Sequence, residues 1–123
     1  IASEITADIY GLSILDRAIQ DNKDNTTRFI IVSGKKEYES SANKVSICFE
    51  IPHESGSLYH MLSHFIYNGI NMFNIQSRPI RDRNWEYRFF VDFDGNLKDT
   101  AVINALRGLE EETNFLKVLG TYK

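Results

Sequence analysis

The 123 residues, 42% apolar and 25% charged, have the composition of an ordinary soluble globular chain with room for one modest core and a short appendage. A formal net charge of −3 and a pI near 5.6 exclude a general basic footprint for nucleic acid or an anionic membrane. Cys48 is the only cysteine, which excludes an internal disulfide or a cysteine-rich metal site, and no apolar run approaches the roughly 18 residues of a membrane span. A lone thiol fits a reducing compartment, so the expected location is cytoplasmic.

In chain order, Ile1, Ile5, Ile9 and Leu12 recur at helical spacing, and Gly11 is placed to close that helix in the left-handed region. Leu12 to Ile19 is apolar without a decided type, and QDNKDN (20–25) is a polar loop. TRFIIVS (27–33) is β-branched and apolar on both faces, which predicts a strand buried on both sides, yet residues 1–33 supply it no partner strand. The helical pattern already runs at Ile1, so this opening third reads as the tail of a longer protein. GKKEYESSAN (34–43), polar and aperiodic, reads as a linker.

From residue 44 the pattern becomes orderly. Val45, Ile47, Phe49 and Ile51 alternate, the mark of a half-buried strand. Leu58, Met61, Leu62, Phe65 and Ile66 form the apolar stripe of a helix that Asn68 and Gly69 end. INMFNIQS (70–77) is a second strand whose alternation slips between Met72 and Phe73, as a bulge would make it. WEYRFFVDF (85–93) alternates with Tyr87, Phe89, Val91 and Phe93 inward, leaving Phe90 on the opposite face toward a partner surface. Asp94, Gly95 and Asn96 supply turn chemistry, and Asp99 or Thr100 caps a helix carrying Val102, Leu106 and Leu109. NFLKVLGTY (114–122) is the last strand. The order β-α-β-β-α-β with right-handed crossovers predicts an α+β, ferredoxin-like fold: a four-stranded antiparallel sheet with both helices on one face.

That fold hosts many tasks, so function must come from the site. Gly56 opens the first of these helices and lets a ligand approach the backbone, where first-turn N–H groups can receive a carboxylate. Asn71, at the start of the next strand, offers an amide able to accept from an ammonium. A carboxylate receiver and an ammonium receiver near apolar side chains specify an α-amino acid pocket. The same residues also suit a capped helix and a strand-start Asn with no ligand. His60 and His64 stand four apart on the helix, a spacing able to hold zinc, but no acid completes the metalloprotease motif and both lie off the apolar stripe. No metal or cofactor is expected. RFFVDF (88–93) is superficially like an RNA-binding strand motif, yet Tyr87 and Arg88 stand where that motif needs glycine and an aromatic.

Residues 44–123 resemble an ACT domain, the small regulatory module that binds amino acids between paired copies. GSLY (56–59) is similar to its glycine-led helix start, and IQSRP (75–79) to its strand-end motif. WEYRFFVDFDG (85–95) and LKVLGTY (116–122) resemble the ACT domain of prephenate dehydratase in particular. Residues 1–33 agree: YGLSIL, IQD and the threonine-arginine-phenylalanine motif at Thr27, Arg28 and Phe29 look like the end of that family's catalytic domain.

The resemblance implies an L-phenylalanine effector site drawn from Ser55, Gly56, Ser57, Leu58, Tyr59, Asn71, Gln76, Ser77, Arg78 and Pro79, at a homodimer or homotetramer interface where the strand-end motif meets a neighbour's helix start. It implies prephenate as substrate of the intact enzyme, converted to phenylpyruvate with loss of water and carbon dioxide. Thr27 would serve as a proton donor, and Arg28 would bind a substrate carboxylate or pair with a nearby acid. Strand alternation would set Thr27 and Phe29 on one face, with Thr27 in the substrate cleft. The fragment alone is expected to be inactive. Two alternatives go with it: a ligand-free ACT dimerisation module, and part of an arogenate dehydratase. Ser55, Ser57 and Gln76 stand where the family usually has Pro, Ala and Glu; none removes a backbone donor, but Gln76 removes a charge.

Overall fold

A computed structural model describes residues 1–123 apart from Lys23, Asn25, Arg28, Asp82 and Asn84. It divides into two units, Ile1–Val32 and Ser33–Lys123. No helix among the described residues is long and apolar enough to cross a membrane.

In the first unit, α1 (Glu4–Tyr10) ends where Gly11 takes φ 62° and donates its N–H to the Ala7 carbonyl, as its lack of Cβ allows. Arg17 Nη1 lies 2.7 Å from Glu4 Oε1. The helix buries no residue, and Phe29, Ile31 and Val32 are 87%, 98% and 88% exposed. The strand expected over 27–33 is not formed among its described residues. A strand is held by a neighbour's ladder, and the described part of this unit contains no second strand to provide one.

The second unit contains β1 (Lys44–Glu50), α2 (Ser57–Tyr67), β2 (Met72–Pro79), β3 (Tyr87–Asp94), α3 (Thr100–Glu112) and β4 (Phe115–Tyr122). The sheet order is β2-β3-β1-β4 and every pairing is antiparallel, the ferredoxin-like arrangement. Val45, Ile47 and Phe49 turn to one face with Val91 and Phe93 beside them in register, and all are almost wholly buried. Met61 and Phe65 of α2 and Val102, Ala105 and Leu109 of α3 cover that face. The Phe65 and Phe93 rings meet edge to face at 5.2 Å, a geometry favoured by the aromatic quadrupole. Asp99 holds the N-cap position of α3, but its carboxylate accepts from the Asn96 N–H at 2.9 Å rather than from the helix.

Several sequence expectations shift in detail. The stripe of α2 is narrower than expected: Ile66 is 62% exposed, because contact with the sheet is concentrated on Met61 and Phe65. The bulge in β2 is present, as a register shift between Met72 and Asn74. β3 begins at Tyr87, not Trp85, because Trp85 has φ 67°, a conformation a strand cannot contain. Tyr87, at the strand's first position, remains 39% exposed. β1 is more than half-buried, since Cys48 and Glu50 on its second face are also covered. Pro79 ends β2, an edge strand, where its missing N–H leaves no ladder bond unmade on the outer side.

The two helices approach through a glycine. A Cβ on Gly108 of α3 would sit inside van der Waals contact of the His64 ring on α2, and His64 Nε2 lies 3.3 Å from Glu112 Oε1. Gly108→Ala therefore lowers stability by about 1–2 kcal/mol in urea unfolding, despite the roughly 1 kcal/mol that alanine contributes to a helix. Adding His64→Ala relieves the contact and recovers most of the loss, a coupling that a double-mutant cycle reads directly.

Candidate functional site

The chain direction decides which residues meet. β1 runs to Glu50, the loop 51–56 turns over, and α2 returns antiparallel to it, so α2 begins at the sheet end where β2 finishes and β3 starts. Gly56 and the segment Gln76–Pro79 thus belong to one end of the sheet. Asn71 belongs to the other. The 11 residues of α2 separate the two by roughly 16 Å along the helix. Within one copy, the two halves of the expected amino-acid pocket are therefore not adjacent.

At the first end, Gly56 occupies the N-cap of α2 with φ 82°, a conformation that favours glycine, and no side chain caps the helix. The Ser57 N–H and Oγ both donate to the Glu54 carbonyl, at 3.2 and 3.0 Å, and the His60 N–H donates to the Gly56 carbonyl at 3.0 Å. The first-turn amides of Leu58 and Tyr59 are left without an acceptor among the described residues. Two N–H groups at the positive end of a helix, reached through an exposed turn of Ser55 and Gly56, are able to donate to a carboxylate. Tyr59 is 65% exposed, its ring 6.0 Å from that of His60.

This end is held by an ion-pair cluster. Glu50 is only 4% exposed and accepts at Oε1 from Arg88 Nε at 3.0 Å and from Arg88 Nη2, while Arg83 Nη1 lies 3.1 Å from its Oε2. Arg88 also sits 5.2 Å above the Phe115 ring, so one side chain ties β3 to β1 and β4. The hydrogen bonds to Glu50 push the Arg88 guanidinium further above its usual range. Beside it, burial pushes the Cys48 thiol up, with Arg88 and Lys117 pulling the other way. Arg78, directly opposite Arg88 in register, helps line a shallow depression of about 370 Å³ floored by Pro79, Ile80 and Phe90. Phe90 is half-buried on the face away from the helices.

At the other end, the Asn71 Nδ2 donates to Asp94 Oδ2 at 2.8 Å and the Asp94 N–H donates to the Asn71 carbonyl at 2.9 Å. Both residues are exposed. In the first unit Thr27 and Phe29 are exposed and stand on no strand, so alternation does not assign them a common face; Arg28 lies outside the described residues.

Glu50, Arg88, Arg83 and Asp94 are absent from the sequence-derived site. Asp94 lies 23 positions from Asn71 and Arg88 lies 38 from Glu50, so no local spacing connects them. Glu50 falls on the polar side of an alternating strand with Lys44 and Ser46, so its sequence context gave no signal for a buried carboxylate.

Among known proteins, residues 1–37 match the family model described as prephenate dehydratase. The chain is 44% identical over 122 residues to a bifunctional chorismate mutase/prephenate dehydratase from Aquifex aeolicus, covering 99% of this chain and 34% of that protein. It is 42% identical over 126 residues to the prephenate dehydratase of Methanocaldococcus jannaschii, covering 99% and 45%. A crystal structure of prephenate dehydratase from Arthrobacter aurescens in complex with L-phenylalanine superposes with a TM-score of 0.63 at 31% identity, covering 73% of this chain and 30% of that one. The chain thus spans between a third and a half of the length of these two curated relatives.

Replacing Glu50 leaves Arg88 and Arg83 without their shared carboxylate. Glu50→Ala lowers the unfolding free energy by about 1–3 kcal/mol, less than the roughly 3–5 kcal/mol of a fully enclosed pair because Arg88 is 40% exposed. Chemical denaturation measures the loss, and faster alkylation of Cys48 reports the opening of the same face.

Proposed function

Since the chain belongs to the prephenate dehydratase family, we infer that residues 44–123 are its ACT regulatory domain and bind L-phenylalanine as a feedback effector between two copies of the chain. The observation that carries this reading is the uncapped start of α2, with the Leu58 and Tyr59 amides open to a carboxylate. A two-fold axis across α2 reverses the helix in the second copy, setting the amides of one copy opposite Asn71 of the other. Neither copy alone offers both halves. The L-phenylalanine in the Arthrobacter aurescens relative supports the choice of ligand.

Burial of the benzyl group contributes about 2–3 kcal/mol, and the ammonium and carboxylate add smaller amounts. Those magnitudes suit a micromolar regulatory site. The strand-end residues Gln76, Ser77, Arg78 and Pro79 lie on an edge strand at the same end as Gly56, placed to brace the interface. A ligand shared by two copies can shift the assembly between states, with coupling of about 1–3 kcal/mol. Residues 1–33 are then the end of the catalytic domain, and 34–43 the linker. In the cytoplasmic enzyme, Thr27 would donate a proton to the hydroxyl leaving prephenate, beside Arg28 and Phe29, as phenylpyruvate forms. Those residues need the rest of that domain, so the 123-residue chain by itself does not turn over prephenate.

Calorimetry is expected to show micromolar binding of L-phenylalanine and none of L-alanine, with sedimentation showing a dimer. A folded dimer giving no heat at millimolar L-phenylalanine would leave only a structural role. Gly56→Ala places a Cβ on a left-handed backbone and weakens L-phenylalanine binding about tenfold, through the roughly 1–2 kcal/mol such a residue costs.

A further inference from the structure

We propose that Asp94 makes the Asn71 end of the effector site selective for a free ammonium group, so that it admits an α-amino acid and rejects the same benzyl carboxylate without its nitrogen; this rests on the effector reading above. An asparagine amide can offer a ligand either its oxygen or its nitrogen, depending on which way it is turned. Here the choice is made. Asn71 Nδ2 is committed to Asp94 Oδ2 at 2.8 Å. The reversed amide would set Oδ1 against the carboxylate, acceptor against acceptor. A backbone bond from the Asp94 N–H to the Asn71 carbonyl, 2.9 Å, locks the two residues as a pair.

The amide is left presenting Oδ1, an acceptor. The second carboxylate oxygen, Asp94 Oδ1, has no donor among the described residues, and both side chains are exposed to an arriving ligand. Two acceptors carrying one negative charge attract an ammonium through charge-assisted hydrogen bonds. They offer nothing to a keto acid, whose carbonyl is itself an acceptor. An enzyme whose immediate product is an aromatic keto acid thereby obtains a regulatory site that ignores that product and answers to the amino acid made from it. The pair acts by positioning and charge, not by chemistry on the ligand.

The test compares L-phenylalanine with 3-phenylpropionate, which keeps the benzyl group and the carboxylate and lacks the nitrogen. Calorimetry on the 123-residue chain should show 3-phenylpropionate binding at least about tenfold more weakly. Asp94→Asn keeps an acceptor for Asn71 Nδ2 and removes the charge. It should weaken L-phenylalanine about tenfold and change 3-phenylpropionate less than about twofold, closing the gap between them. A merely structural role would weaken both ligands together, and that result overturns the proposal, as does undiminished discrimination by the variant. If the unaltered chain binds neither ligand, the effector reading itself fails and this one falls with it.

Discussion

The second unit depends on β1 being enclosed on every side. Its two edges are hydrogen-bonded to β3 and β4, its apolar face lies under α2 and α3, and its second face is covered at Cys48 and Glu50. A central strand of this kind needs a neighbour for every polar group and a lid for every side chain. The hairpin β2-β3 and the returning β4 meet the first need. Val102, Leu109, Met61 and Phe65 meet the second on the apolar face. Exposure remains along the outer edge of β2, at the ends of α2, in the turns and, on the sheet face away from the helices, at Gln76, Phe115 and Lys117.

That enclosure also shapes the site. Once β1 is central and α2 must run back across it, the two ends of α2 lie at opposite ends of the sheet, whatever their side chains. A ligand long enough only to join an ammonium to its own carboxylate cannot reach from the Tyr59 amide to Asn71 in one copy. The proposed interface resolves this by using the helix twice, in opposite directions. The Glu50–Arg88–Arg83 cluster then has a clear mechanical place, since it binds the end of β1 to the β2-β3 turn at the end where α2 is entered. Burying a carboxylate with two guanidiniums is not a cheap source of stability. Its contribution here is to define where that end of the sheet sits.

Periodicity in the sequence is a local property, and the elements it describes were legible. The β1 alternation, the Met61 and Phe65 face of α2, the left-handed stop at Gly11 and the slip in β2 all involve residues within a few positions of each other. Trp85 and the 27–33 segment were misread for a related reason. Apolar and aromatic content marks what a segment is able to do, whereas a strand also needs a partner and permitted dihedrals. Trp85 has a left-handed φ, and residues 27–33 have no neighbouring strand among those described.

The sequence by itself determined the order of elements from residue 44 onward, the apolar faces of β1, α2 and α3, and the glycine that opens α2, because each follows from neighbours along the chain. That Gly56 and Asn71 stand at opposite ends of a helix follows from the order of elements; only the tertiary structure decided that Asn71 is turned by Asp94 and that Glu50 gathers Arg83 and Arg88. Those relations join residues far apart in the chain, and they exist only once strand register and chain direction bring them together.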